Sequence, residues 1–389
     1  MPPLRKKKKN ELVKKKKTSP GREALLRTLR KAARERQAKR RPHQLERHDG
    51  NPIMEPRAGN FWEMKATFNP AAVYADRRVH LLYRAIGGDD MSVLGYAVSE
   101  DGTTITARSD VPAFAPTAKK ASGEVVPSAD LEAVLYSSGG GWNGGCEDPR
   151  LTLIGQVVYL MYTAFDGWGS IRIALSSIDL DDFLQQKWQW KKPALISPPG
   201  EIHKNWMLFP EKINGKYALL HSISPEMLVD YFDNFEDLEN EQRTIQSVRH
   251  IVSTPGRWDT WVRSAGPPPM KTKLGWLLFY HAMDIRDPDR YKLGAMILDA
   301  NDPTKVLYRS RTPVLEPDAD YENQGYKWGV VYSCGAVVKD GELYVYYGGG
   351  DAVSCVAMAK LDTFLDELQR YGTPQLTPQK KGKTSNARS

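Results

Sequence analysis

The amino-acid sequence predicts an all-β fold, a five-bladed β-propeller with a basic and partly helical N-terminal extension. A β-hairpin that ends in an aromatic-rich strand recurs five times along the 389 residues. Pairs such as Asn214-Gly215 and Asp340-Gly341 precede these strands, and such pairs between apolar runs are typical of hairpin turns. A unit of this size cannot bury both of its faces alone, so the copies are expected to pack radially. The five strand endings are residues 81–85, 160–164, 218–222, 278–282 and 345–349.

Charge divides the chain into three parts, although the net charge is only +8. Residues 1–50 form a basic N-terminal extension, with 19 Lys and Arg against 5 Asp and Glu. Residues 51–370, the expected propeller and catalytic domain, hold more acidic than basic residues. Residues 371–389 form a basic tail without acidic residues, which we expect to be flexible. The basic character therefore belongs to the two ends of the chain.

The N-terminal extension is expected to contain one helix. Ser19 as N-cap and Pro20 at the first helical position predict a helix over about residues 20–41. Leu25 and Leu29 lie on a narrow apolar stripe that could dock on the body of the protein or hold two copies together as a homo-oligomer. Nucleic-acid binding is the less favoured role, because no aromatic residue interleaves the charges and no binding motif follows.

The sequence favours a cytoplasmic protein that needs no metal and no cofactor. Cys146, Cys334 and Cys355 lack metal-binding or redox spacing, so we interpret them as reduced thiols. No apolar run is long enough to span a membrane, and none follows the charged start as a secretory signal would. The glycine-rich stretch before residue 146 lacks the Gly-Lys-Ser/Thr of a phosphate-binding loop, and the histidines lack metal-ligand spacing.

Two groups of acidic residues are candidates for the chemistry. Asp148 lies in a Glu-Asp-Pro-Arg sequence at the start of an apolar strand, where charges need partners to be buried. Glu201 and Glu226 flank the hairpin whose turn is Asn214-Gly215, so both carboxylates could reach one pocket. A pair of carboxylates across a pocket is the machinery of glycoside hydrolysis, in which one acts as acid and one as base. A salt-bridged corner and surface glutamates remain the alternatives for the two groups.

An ordered set of motifs resembles glycoside hydrolase family 130, whose members are five-bladed propellers that act on β-mannosides. The resemblance covers about residues 51–362 and leaves both basic ends outside it. The motifs are Asn69-Pro70-Ala71, Tyr83-Arg84-Ala85, Glu147-Asp148-Pro149-Arg150, Phe209-Pro210-Glu211-Lys212-Ile213, Gly275-Trp276-Leu277, Tyr280-His281 and Tyr347-Gly348-Gly349-Gly350-Asp351.

The resemblance implies a phosphate-binding site from which this chain departs at three positions. Most members are phosphorylases, in which the residue matching Asp148 donates a proton through a sugar hydroxyl and the residue matching Arg84 helps to bind phosphate. Further phosphate-binding positions of that pattern hold Glu201, Asn205 and Ser222 here, instead of arginine, aspartate and arginine. Glutamate in place of arginine reverses a charge, and like charges about 4 Å apart near a protein surface repel by about 4 kcal/mol. Such a site would bind phosphate poorly.

The sequence therefore predicts an inverting, exo-acting hydrolase that releases mannose from β-mannosides, with β-1,2 linkages implied by the resemblance. Glu201 is assigned as acid and Glu226 as base, and Asp148 is a third catalytic candidate. A β-mannoside phosphorylase forming mannose 1-phosphate and a non-catalytic glycan-binding propeller remain the alternatives. Trp142, Trp168 and Trp206 are candidate faces for sugar rings or core residues. The residues expected to bind a manno-oligosaccharide are Asn69, Arg84, Arg150, Lys204, His281 and Asp351.

Overall fold

The computed structural model describes residues 43–115, 141–165, 171–247, 253 and 256–373. The helix expected over 20–41 and the basic tail after 373 lie outside these residues, as does Trp168. The described chain is all-β, as the sequence predicts, and consists mainly of antiparallel strands with few helices. The short helices are α1 (Leu180–Leu184), α2 (Glu236–Glu239) and the longer α3 (Leu361–Tyr371), with 3-10 turns at Phe61–Glu63 and Asp320–Glu322.

The first two groups of strands each contain four antiparallel strands in chain order. A single parallel bridge between Ser92 and Gly145 joins them into one sheet. The first group contains β2 (Ala66–Ala75), β3 (Arg78–Ile86), β4 (Ser92–Ser99) and β5 (Ile105–Arg108). The second group contains β6 (Gly145–Ile154), β7 (Val157–Phe165), β8 (Ile171–Asp179) and β9 (Ala194–Leu195).

Three further sheets follow, and the last one takes its outer strand from the beginning of the chain. The third group contains β10 (Met207–Leu208), β11 (Tyr217–Ser222) and β12 (Leu228–Phe232). The fourth contains β13 (Trp261–Ala265), β14 (Met270–Thr272), β15 (Gly275–Asp284), β16 (Asp287–Leu298) and β17 (Val306–Arg309). The fifth contains β18 (Val331–Lys339), β19 (Glu342–Gly349), β20 (Val353–Lys360) and β1 (Glu46–Arg47). The predicted recurring strand endings lie in β3, β7, β11, β15 and β19, which confirms the predicted hairpins.

The aromatic-rich strands are apolar on both faces because each face packs on a different neighbouring group. In β3, Leu82 belongs to the core between the first and second groups, whereas Leu81 and Tyr83 belong to the core between the first and fifth. In β15, Phe279 belongs to the core between the fourth and fifth groups, whereas Leu278 belongs to the core between the third and fourth. Within the described residues, the five largest apolar clusters lie between consecutive groups, including the fifth and the first. Alternating side chains thus join every group to two neighbours.

A β-bulge interrupts the first strand of four groups. The pairing register shifts at Asn69-Pro70 in β2, at Asp148-Pro149 in β6, at Arg263 in β13 and at Cys334 in β18. Proline cannot donate a ladder hydrogen bond and is tolerated at bulges, which explains the two Asx-Pro pairs. Asn69 and Asp148 have φ angles of 50° and 51°, a left-handed conformation that Asn and Asp adopt more readily than other non-glycine residues. The bulges redirect these side chains away from the sheet.

In the part of the chain that the structure describes, α3 and the other helices include none that is both long and apolar enough to cross a membrane.

Candidate active site

A buried network of charges connects the bulges of β2 and β6. The Asn69 amide donates to Asp148 Oδ1 at 2.8 Å, and the Arg84 guanidinium lies 3.4 Å from the same oxygen. Arg84 also pairs with Glu147 at 2.8 Å, and Lys204 pairs with the other oxygen of Glu147 at 2.8 Å. The arginine and both acids are almost completely buried. Ion pairs in such a place are stable only because each charge has a partner, and the network holds Asp148 in one orientation.

Asp148 is a carboxylate in this arrangement. Burial favours its neutral form, but the positive charges of Arg84, Lys204 and Arg150 outweigh burial and hold its pKa below the ordinary value. The hydrogen bond from Asn69 acts in the same direction. A proton donor needs a higher pKa than this. A ligand that brings negative charge into the site would supply that shift.

Arg150 ties the second group of strands to the fourth. Its guanidinium donates to the Gly266 carbonyl at 2.8 Å and the Ala265 carbonyl at 3.3 Å, and also to the carbonyl of Asp148 at 2.8 Å. Because these three hydrogen bonds end on main-chain oxygens, one of them that of Asp148, the side chain positions the backbone of Asp148. The prediction that Arg150 binds substrate stays a prediction.

His281 is fixed in one neutral tautomer. Its Nε2 accepts the Ser333 backbone N–H at 2.9 Å, so the proton lies on Nδ1, which is 3.0 Å from Ser264 Oγ. Burial, aided by the charge of Arg150, lowers the pKa of His281 to about 3. The ring stacks on Tyr332 with centroids 4.0 Å apart, and Tyr332 donates to Asn205 Oδ1 at 2.8 Å.

Asp351 is a second buried carboxyl of the site, on the turn after β19. Burial raises its pKa to about 6; Lys327 lowers the pKa, whereas Asp148 raises it. The turn is tied to the loop before β18, because Lys327 N donates to the Gly350 carbonyl at 3.0 Å. Asp351 has φ of 52°, as at the bulge positions of β2 and β6. The pKa of Asp351 therefore lies nearer to neutral pH than that of Asp148.

One polar atom of the site has no partner in the described structure. Asn69 Oδ1 is buried and accepts no hydrogen bond from the described residues, which is costly unless a ligand supplies a donor. A Cβ at Gly348 would collide with this oxygen, so glycine leaves room for it. A Cβ at Gly141 would likewise meet Ser92 and Arg84. An open acceptor among buried charges is suited to a sugar hydroxyl.

The two glutamates predicted as acid and base lie at the surface. The Glu201 side chain is 49 % exposed, and its carboxylate lies 2.7 Å from His203 Nε2. Glu226 is exposed on the loop after β11. The structure therefore brings together Asn69, Arg84, Asp148 and Lys204 in one buried network, whereas Glu201 and Glu226 are exposed. Of the tryptophans, Trp206 is buried in the core and Trp142 is partly exposed at 39 %.

Sequence reasoning missed Glu147 and Tyr332 as members of the site. Glu147 joins Arg84 to Lys204, and Tyr332 connects His281 to Asn205. Glu147 could have been predicted from charge balance, because the single negative charge of Asp148 does not neutralise both Arg84 and Lys204. Tyr332 left no such signal, since tyrosines recur in many of the strands.

Comparison with known proteins identifies the family of this chain. A family model described as β-1,4-mannooligosaccharide phosphorylase, that of glycoside hydrolase family 130, matches residues 44–370. The chain belongs to glycoside hydrolase family 130. The resemblance that the motifs predicted is thus confirmed, and it extends through β1 at the start of the described residues.

Curated relatives of this family-130 chain are phosphorylases. It is 38 % identical over 327 residues to a 1,2-β-oligomannan phosphorylase of Thermoanaerobacter sp. (strain X514), covering 82 % of this chain and 97 % of that protein. It is 34 % identical to a β-1,2-mannobiose phosphorylase of the same organism, covering 81 % and 96 %. The solved β-1,2-mannobiose phosphorylase of Listeria innocua, in complex with β-1,2-mannobiose, has a TM-score of 0.63 at 25 % identity and covers 84 % and 99 %. An enzyme acting on mannosides is therefore supported.

Proposed function

We propose that this protein cleaves β-1,2-linked mannosides by phosphorolysis and releases mannose 1-phosphate. The observation that carries the proposal is its similarity, over four fifths of its length, to phosphorylases of β-1,2-linked mannosides. The Asp148 network supports the same conclusion, because it holds the Asp148 carboxyl in one orientation beside Asn69 Oδ1, an acceptor without a hydrogen-bond partner among the described residues. This function is the alternative that the sequence left open, and it fits the relatives better than hydrolysis does.

The proposed reaction exchanges one bond at the anomeric carbon of mannose. A phosphate oxygen forms a bond to C1 as the C1–oxygen bond to the leaving sugar breaks. Asp148 supplies the proton for that leaving oxygen, through a sugar hydroxyl as the family resemblance implies. Asn69 Oδ1 would accept a hydroxyl hydrogen and orient the mannose ring. Holding the ring in this orientation contributes to catalysis, because the entropy cost of reaching the reactive geometry is met on binding.

Phosphate itself would help to make Asp148 an acid. Without a ligand, three positive side chains hold the pKa of Asp148 low despite its burial. A phosphate dianion near Arg84 or Lys204 would offset part of this positive charge, and a negative neighbour raises the pKa of a carboxyl. The proton donor would then be formed when both substrates are present.

We infer that the five groups of strands are the blades of a five-bladed β-propeller. Support comes from the apolar cores between consecutive groups, including one between the fifth and the first. The first strands also converge, since Asn69 of β2 bonds to Asp148 of β6, and Arg150 of β6 bonds to Gly266 after β13. A site at the axis of such a ring would accept the end of a mannan chain, which suits exo action.

Hydrolysis is the second candidate, and one observation favours it. Glu201 stands where the phosphorylase pattern has an arginine, and Ser222 stands where it has another. An inverting hydrolase would use Glu201 as acid and Glu226 as base, but both are exposed in the structure. Under this mechanism Glu201→Gln and Glu226→Gln would each reduce turnover by orders of magnitude. Under phosphorolysis each variant should stay within a few-fold of the unmodified enzyme.

Product analysis on β-1,2-mannobiose, with and without inorganic phosphate, tests the proposal. We expect phosphate-dependent mannose 1-phosphate, and a rate that is about 100- to 10,000-fold lower in Asp148→Asn. Asparagine tolerates the positive φ of this position and keeps an acceptor for Asn69, so the variant should fold. Asp302→Asn, at an exposed turn, is the matched control and should keep full activity. Free mannose at a rate independent of phosphate would establish hydrolysis, and saturable binding without turnover would indicate a glycan-binding protein.

A further inference from the structure

Most of the large apolar side chains that are exposed in the described residues lie at one edge of the strand groups. At this edge the first strand of a group begins and its second strand ends, and the residues of the Asp148 network lie here as well. Exposed apolar surface beside a cleft commonly marks a place where a ligand or another protein binds. The exposed side chains at this edge are Phe61, Met64, Trp142, Ile285, Tyr326 and Trp328.

Tyr326 and Trp328 form the one pair of these side chains that are neighbours on a single loop, the loop before β18. Their exposed fractions are 48 % and 56 %. Lys327, which lies between them, turns the other way and places its Nζ 4.5 Å from the centre of the Tyr291 ring. The two exposed rings therefore project from the same side of the loop toward solvent.

The loop that carries the two rings is fixed to its neighbours on both sides. The Tyr291 backbone N–H donates to the Gly329 carbonyl at 2.9 Å, and the Lys327 backbone N–H donates to the Gly350 carbonyl at 3.0 Å. Gly325 has φ of 126°, and a Cβ there would lie 2.5 Å from the Gly350 carbonyl oxygen. Because the backbone is held in this way, little conformational entropy would be lost when a ligand binds to the rings.

The surface around Trp328 suits a neutral ligand. The Arg290 guanidinium carbon lies 6.0 Å from the centre of the indole ring, a contact that supports the ring from the protein side. Arg290 is itself paired with Asp318 at 3.4 Å and with Asp287 at 3.7 Å. Since these carboxylates offset its charge, the exposed rings offer a ligand aromatic surface with little net charge, as a sugar chain requires.

The same loop adjoins the buried site. Lys327 is bonded to the turn that carries Asp351, and its charge lowers the pKa of the Asp351 carboxyl. Tyr291, against which Lys327 packs, lies 6.3 Å from Tyr332, the residue that stacks on His281. A chain whose first sugar occupies the buried site could therefore continue over this loop.

We propose that Tyr326 and Trp328 form an aromatic platform for the distal part of a β-1,2-oligomannan, beyond the two sugars that the cleaved bond joins. This inference rests on the proposed function and deepens it, because it makes chains longer than mannobiose the preferred substrates. In exo action the terminal mannose enters the site and the rest of the chain must leave across its rim. The C–H faces of the distal sugars would pack on the rings, and the tyrosine hydroxyl and the indole N–H would bind their hydroxyls.

Initial rates with β-1,2-mannobiose and β-1,2-mannotetraose test the platform. In Trp328→Ala we expect the KM for the tetraose to rise about tenfold and that for mannobiose to rise at most about twofold. Trp328→Phe keeps an aromatic face and should restore most of the loss. Phe61→Ala is the matched control, because Phe61 is an exposed aromatic residue at the same edge of another strand group, 62 % exposed. An equal change for both substrates in Trp328→Ala, or a loss in Phe61→Ala instead, would overturn the proposal.

Direct binding separates failure of the platform from failure of the proposed reaction. Calorimetric titration of Asp148→Asn with each oligosaccharide measures affinity without turnover, whether the unmodified enzyme is a phosphorylase or a hydrolase. Tighter binding of the tetraose than of mannobiose, lost when Trp328→Ala is added, would support the platform. Equal affinity for the two would overturn the platform alone, and binding of neither would overturn the proposed function with it. A changed oligomeric state of Trp328→Ala in sedimentation, with both affinities kept, would assign the rings to a contact between copies and also overturn it.

Discussion

Asp351 is a residue that the fold holds at an energetic cost. Its carboxyl is buried near Asp148 and Glu147, and burial raises its pKa from 3.8 to about 6. An acid whose pKa is higher in the folded state stabilises the fold only while it is protonated. That contribution is complete below about pH 4 and is lost as the pH rises through about 6. A residue that destabilises the fold at neutral pH in this way is a candidate for a functional role.

Asp351→Asn should therefore stabilise the protein at neutral pH and reduce its activity. At pH 7.5 we expect the free energy of unfolding to exceed that of the unmodified protein by up to about 3 kcal/mol, the equivalent of two pKa units. At pH 4 the difference should vanish, because both side chains are then neutral. Urea unfolding at a series of pH values measures this directly. The assignment would be contradicted if the free energy of unfolding of Asp351→Asn, measured relative to the unmodified protein, were lower at pH 7.5 than at pH 4.

The site residues differ in how visible they are in the sequence. Asn69, Arg84 and Asp148 lie in short motifs of polar residues that enter apolar strands, so their closeness in the fold could be anticipated. The pairing of Lys204 with Glu147 could not, because it joins residues 57 positions apart and depends on how two groups of strands pack.

At the scale of elements, three groups of strands share a Tyr–acid–Arg latch that the sequence did not reveal. A tyrosine of the central strands donates to a buried acid just before the first strand, and an arginine of the outermost strand pairs with that acid. The three latches are Tyr83–Glu63–Arg108, Tyr280–Asp259–Arg309 and Tyr347–Glu322–Arg47. Each acid is completely buried. Each latch therefore ties the outer strand of a group to the loop that enters the same group.

Removing one hydroxyl from a latch should weaken the fold without touching the active site. Tyr280→Phe leaves Asp259 with one donor fewer in a buried place, which typically costs about 1–3 kcal/mol. Asp259 keeps its ion pairs with Arg309 and with Arg257, so the loss should not be larger. Tyr74→Phe is the control, because Tyr74 is partly exposed on β2. Equal unfolding midpoints for the two variants in urea would show that the latch does not contribute.

At the scale of the whole molecule, one strand pairing joins distant parts of the chain in a way that local sequence patterns could not show. Recurring hairpins and aromatic strands predicted the all-β fold, since period-two patterns and turn residues are local signals. The two-residue strand β1 has no such pattern and lies in the segment expected to be an extension. It pairs with β20, about 310 positions later: Glu46 lies opposite Met358 and Arg47 opposite Ala357. Only tertiary packing determines a pairing of that kind.

The last group of strands should depend on this N-terminal segment for its stability. Leu45 is buried in the core between the fourth and fifth groups, and Arg47 pairs with the buried Glu322 at 2.8 Å. We compare a chain that lacks residues 1–42, which keeps β1, with one that lacks residues 1–48. The longer deletion leaves Glu322 without its arginine, and an uncompensated buried charge costs about 3–5 kcal/mol.

Urea unfolding of the two truncated chains measures the contribution of β1 to the stability of the protein. The chain that lacks residues 1–48 should unfold at a clearly lower midpoint than the chain that lacks residues 1–42. Arg47→Met in the full-length chain isolates the ion pair from the strand, and it should account for a large part of the difference. Equal midpoints for the two truncated chains would mean that β1 is not needed to complete the last group, since the loss of Leu45 and of the Glu322 ion pair would then have no measurable cost.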